Sequence, residues 1–137
     1  MPEHANTHGN VHGGHIMKMC DEAAAICAMR HAQRPAVTVA IDSMTFHSPV
    51  HVGELISLSA HVSYVGTTSM EISVKVTAED PIQGKTTHTN SAYFVFVALD
   101  DKGAPCRVPG LLIESEEQRM EFEAGKLRQQ QRVSRGS

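Results

Sequence analysis

The chain has 137 residues, 41% hydrophobic and 20% charged, a balance that suits one globular domain with a real core and excludes a disordered segment. A formal net charge of −3 argues against a nucleic-acid binder driven by bulk charge, and no apolar run nears the roughly 20 residues of a membrane-spanning helix. The first residues, MPEHANTHGN, carry neither the basic nor the apolar stretch of a secretory signal, and three cysteines without metal spacing fit a reducing cytoplasm.

Residues 1–10 hold the turn formers Pro2, Asn6 and Gly9 but no strand pattern. His4, His8, His12 and His15 crowd this end, yet the glycines among them oppose a helix that would align them. No His-Glu-x-x-His or paired-cysteine motif is present, so no metal is expected. Gly9, Gly13 and Gly14 suit a loop with unusual dihedrals or a close approach of backbone to ligand. From Ile16 to Met29 the sequence then predicts a helix, since Ala, Met and Ile dominate and no proline occurs before Pro35.

Only Lys18, Asp21 and Glu22 are charged in that helix, and one apolar nearly all round belongs in a core. A buried ionised carboxylate is costly unless paired, hydrogen-bonded or protonated. Two readings stay open. Lys18, Asp21 and Glu22 form a narrow solvated stripe at i, i+3 and i+4, or one carboxylate faces a cleft and does chemistry. Cys20 and Cys27, a heptad apart, read as small buried hydrophobes. Arg30, His31 and Arg34 follow as dipole partners of the helix C-terminus or as phosphate contacts.

Residues 37–46 read as a strand bounded by Pro35 and Pro49, with Val37, Val39 and Ile41 on one face and Thr38, Ala40 and Asp42 on the other. Residues 55–65 form the next strand, broken by Gly66-Thr67-Thr68. Met70, Ile72, Val74 and Val76 then alternate with Glu71, Ser73, Lys75 and Thr77, the pattern of a half-exposed antiparallel strand. The run 86–99 is the longest strand, and its apolar second half makes it central. Ser115-Glu116-Glu117-Gln118 matches a capping box that opens a polar helix to about Arg132, ahead of a frayed tail. With only Met120, Phe122 and Leu127 apolar, that helix lies on a surface or meets a partner subunit.

One apolar helix followed by antiparallel strands implies an α+β fold with the sheet wrapped around the helix. The expected organisation is a main domain over 1–113 and a peripheral C-terminal helix and tail over 114–137. The open sheet leaves edges that pairing across a dimer would cover.

The stretch GNVHGGHIMKMCDEAA resembles the active-site segment of the hotdog-fold acyl-CoA thioesterases, in particular the branch that hydrolyses fatty acyl-CoA. VTVAIDSMTFHSPVHVGE, VGTTSMEI and SAYFVFVALD extend the resemblance over nearly the whole chain. The family usually places a strand before the glycine-rich loop, and this chain begins almost at the loop. The resemblance implies a hotdog fold with a curved antiparallel sheet around a central helix. It further implies hydrolysis of acyl-CoA to free fatty acid and CoA without a cofactor, in the cytoplasm. Asn10 and Asp21 are implied to meet across a dimer interface, with a tetramer or a hexamer built from dimers.

In that scheme Asp21 is either general base or nucleophile, and the residues do not choose between them. Asn10 orients water or donates to the carbonyl, unless it is plain turn chemistry. Gly14, at the helix start, offers an N–H for an oxyanion, with His12 and Gly13 beside the substrate. Gly66, Thr67, Thr68 and Ser69 contact CoA or form an ordinary hairpin turn, and Arg30 contacts phosphate. A non-catalytic acyl-CoA-binding regulator on the same fold is the main alternative, counted against by the presence of Asn10, Gly14 and Asp21. A hydratase would instead use His8 or His12 with an acidic partner.

Overall fold

The computed structural model describes residues 13–136. Helix α1 spans Gly13–Ala32, strands β1 to β4 span Ala36–Phe46, Leu55–Val65, Ser69–Glu79 and Thr86–Ala98, and helix α2 spans Glu116–Gly136. The strands form one antiparallel sheet in the order β1-β4-β3-β2. The longest strand, β4, is thus internal, as its apolar run predicts. No helix among the described residues is long and apolar enough to cross a membrane.

Alternation decides which side of the sheet meets α1. Met70, Ile72, Val74, Val76 and Ala78 of β3 are buried beside Ala92, Phe94, Phe96 and Ala98 of β4. Against them α1 lays Ile16, Cys20, Ala24, Ala28 and Ala32, one residue per turn of a single stripe. Their small side chains let the helix axis approach the sheet closely, at the cost of a narrow contact. The expectation of a helix buried all round is corrected here: Met17, Ile26 and Met29 lie exposed on its far side. Cys20 is buried as expected, which pushes its thiol up to about 11, whereas Cys27 and Cys106 are only partly covered.

Strand β1 departs from simple alternation. Thr38 stands opposite Phe96, but the register slips, and Ala40 then faces Val95 while Ile41 faces Phe94. Such a slip places an extra residue in the strand. Thr38 and Ile41 therefore share the helix side, not opposite sides, and Val37, Ala40 and Asp42 share the other.

α2 covers part of that other side, and it does so with charge. Its first turn is capped by Ser115 Oγ, which accepts from the Gln118 N–H at 3.1 Å. The helix continues through Val133 to Gly136, where fraying was expected. Phe122 packs its ring on Tyr64 at 4.8 Å, while Met120 and Leu127 are exposed. The main anchor is Glu71, read from sequence as half-exposed but with a fully buried side chain. Arg128 donates to both its carboxylate oxygens at 2.7 and 2.9 Å, Ser63 Oγ donates at 2.6 Å, and Arg132 bridges Glu71 to Asp42. Gly125 lets the helix come this close, because a Cβ there would lie 2.6 Å from Tyr64 Cβ.

Candidate active site

Asp21 and Glu22 part company in the fold. Glu22 and Lys18 face outward, as a solvated stripe would. Asp21 is half-buried on the flank of α1 toward β1, and the Thr38 hydroxyl donates to its Oδ1 at 2.9 Å. The bond follows from chain geometry, since the helix is followed at once by the strand that carries Thr38 onto the helix side of the sheet. Among the described residues no other hydrogen bond to the Asp21 carboxylate is made. Thr38 escaped the sequence reading because it looked like one polar member of an alternating strand. A hydroxyl seventeen residues after a carboxylate has no local signature.

Gly13 and Gly14 form the first turn of α1, about two turns before Asp21. Asn10 and His12 lie outside the described residues. Arg30 is exposed in the last turn of the helix, nine residues beyond Asp21 and so about 14 Å along the axis.

The Gly66 to Ser69 turn lies at that same end. Its Gly66 N–H closes the turn on the Ser69 carbonyl at 2.9 Å. The carbonyls of Thr67 and Thr68 accept from the N–H groups of Val108 and Ala98 at 2.9 and 3.2 Å. A neighbouring link runs from His31 Nε2 to the Pro109 carbonyl at 2.9 Å. The turn is thereby fastened to the strand ends and to the segment that leaves β4. Among the described residues the structure thus holds Asp21 with Thr38, and separately the Gly66–Ser69 turn toward the C-terminal end of α1.

A second feature adjoins Asp21. Met17, Ile26 and Met29 of α1 are exposed, and so are Val39 and Ile41 of β1, which is an edge strand. An apolar surface beside a half-buried carboxylate is the kind of exposed patch that marks an interaction or ligand-binding site.

Comparison with known proteins agrees. The model of the thioesterase superfamily matches residues 8–85. An uncharacterized acyl-CoA thioester hydrolase of Zymomonas mobilis is 45% identical over 109 residues, covering 80% of this chain and 73% of the relative. Among solved structures, an apo-hexameric acyl-CoA thioesterase superposes with a TM-score of 0.94 at 34% identity, covering 100% of this chain and 88% of the other. The acyl-CoA hydrolase of Staphylococcus aureus, solved with butyryl coenzyme A and coenzyme A, gives 0.91 at 37% identity, covering 98% and 82%. The chain belongs to the thioesterase superfamily, among its hotdog-fold acyl-CoA thioesterases.

Proposed function

We propose that this protein hydrolyses fatty acyl-CoA at Asp21, in a site completed by an asparagine from a second copy of the chain. The observation that carries the reading is the Asp21 carboxylate, half-buried on an otherwise apolar flank and oriented by Thr38. In hydrolysis, water adds to the thioester carbonyl carbon while a base takes its proton. The tetrahedral intermediate then collapses, breaking the carbon–sulfur bond and releasing CoA as the thiol. Asp21 Oδ2 is the base in this scheme, or the nucleophile of a mixed anhydride. Gly14 supplies a backbone N–H for the oxyanion.

Support comes from spacing. Solved variants of the Staphylococcus aureus enzyme replace an Asp by alanine, an Asn fifteen residues before it, and a Thr seventeen residues after it. Counting from Asp21, this chain has Asn6 at the first interval and Thr38 at the second. The Thr38 match is reinforced by its hydrogen bond. Asn10, the asparagine picked from the motif, stands only eleven residues before Asp21. The spacing favours Asn6 for the water-orienting role, with Asn10 as its control.

A dimer is favoured by the apolar face of α1 and β1, whose members are 38–56% exposed in the single chain. Burying such a face against its own copy follows the isologous logic of two-fold assemblies. Two of the similar solved proteins are described as hexameric, so a hexamer built from dimers, or a tetramer, is the expected assembly. Arg30, His12, Gly13 and the Gly66 to Ser69 turn are the proposed CoA contacts, with the thioester at Asp21 and the phosphates toward Arg30. The setting is cytoplasmic.

Release of free thiol from a panel of acyl-CoA esters tests the reaction, with Asp21→Ala alongside. Hydrolysis that collapses in the variant supports it. Binding of acyl-CoA without thiol release at any chain length would support instead a non-catalytic regulator.

A further inference from the structure

The sheet carries a second cleft, on the side turned away from α1. α2 covers that face around Tyr64, Glu71 and Asp42 and reaches its flank at His61 and Tyr93. Beyond it, the register sets Ser59, Lys75 and Ser91 in one row across β2, β3 and β4, and His61, Ser73 and Tyr93 in the next. Directly opposed residues of antiparallel strands project from one face with Cβ atoms about 5 Å apart. These six side chains therefore stand side by side, and with Glu121 of α2 they line an open cleft of about 300 Å³.

A solvated face accounts for polar residues here, but not for their sizes. At such positions a β-branched threonine or aromatic residue suits a strand well. Three serines around one lysine instead leave a concavity floored by hydroxyls. Its walls are fixed, since Arg128 sits 3.8 Å over the Tyr93 ring and His61 Nε2 meets Glu121 Oε1 at 2.6 Å.

Two charged side chains line the cleft, Lys75 and Glu121. Glu121 is engaged by His61, and Glu71 beyond it is taken up by Arg128 and Arg132. Lys75 makes no ion pair among the described residues. The Ser91 hydroxyl lies 2.8 Å from His88 Nε2. One unpaired ammonium with several hydroxyl donors matches the oxygens of a phosphate group.

We propose that this cleft binds a small phosphorylated ligand, its phosphate held by Lys75 and the hydroxyls of Ser59, Ser73 and Ser91. The site is separate from Asp21 and lies across the sheet from it. It stands or falls independently of the hydrolytic reading.

Calorimetric titration of the full chain with inorganic phosphate and inorganic pyrophosphate tests the proposal. Parent protein, Lys75→Ala, Ser73→Ala and Arg30→Ala are compared, with circular dichroism to confirm folding. Saturable binding is expected, weakened about tenfold or more by Lys75→Ala, less by Ser73→Ala, and unchanged by Arg30→Ala. Absence of saturable binding overturns the proposal. So does binding that survives Lys75→Ala or is lost in Arg30→Ala, which would place the anion at the CoA end of α1.

Discussion

The Thr38 hydroxyl donates to Asp21 Oδ1 at 2.9 Å and so ties the edge strand β1 to the middle of α1. One oxygen of the carboxylate is thereby held.

Removing that hydroxyl should cost rate more than affinity. Thr38→Val is expected to lower kcat about tenfold, the worth of one hydrogen bond to a charged group, with KM little changed. Thr38→Ser should retain most of the activity. Steady-state kinetics on an acyl-CoA checks this, and equal loss in both variants would show that the strand's packing, not the hydroxyl, is what matters.

Glu71 sets an acid limit on α2. Burial pushes its carboxyl up, but hydrogen bonds from Arg128 and Ser63, the Arg128 charge and a hydrogen bond from Arg132 together hold it below its ordinary range. A carboxyl lowered in the fold stabilises fully above its unfolded value, about 4.3, and loses that contribution as pH falls through the lower folded value. Below about pH 4.3 the unfolded chain takes up a proton that the folded chain still refuses. Urea midpoints across acid pH should therefore fall more steeply for the parent than for Glu71→Gln. At neutral pH Glu71→Ala should cost about 3 kcal/mol, because it leaves Arg128 and Arg132 without their buried partner.

Gly125→Ala sets two effects against each other. Alanine favours a helix by about 1 kcal/mol over glycine. Its Cβ, however, would lie 2.6 Å from Tyr64 Cβ and 3.0 Å from Glu71 Oε1. Tyr64 Cβ is fixed to the strand backbone and cannot swing aside, so the clash wins. A net loss of about 1–2 kcal/mol is expected in denaturant unfolding.

Much of this fold is legible in the chain itself. Alternation from Met70 to Val76 marks the helix-facing side of β3, and the apolar run of β4 marks an internal strand. Asp21 and Glu22 stand out because carboxylates on an apolar helix require an explanation. Other features depend on long-range register and leave no local trace. The slip between Thr38 and Ala40 brings Thr38 to Asp21's side of the sheet. Glu71 looks like any solvent-facing strand residue until Arg128, 57 positions later, arrives from α2. The outward face of α1 reads as core because its apolar residues surround the helix, whereas a single chain covers only the stripe from Ile16 to Ala32.

That uncovered face should be where two copies meet. Ile26→Glu places a charge in its middle and leaves the α1 stripe against the sheet intact. Sedimentation should show a shift toward monomer, with activity falling in step. A monomer retaining full activity would separate the site from the assembly.

Mixing Asn6→Ala with Asp21→Ala protein, after unfolding and refolding together, tests the shared site most directly. Each variant alone should be inactive. In a mixed dimer one site carries both substitutions and the other carries neither, so activity should return to about a quarter of the parent's in an equal mixture. A mixture as inactive as its components, with mixed dimers shown to have formed, would mean that Asn6 and Asp21 do not work together across two chains.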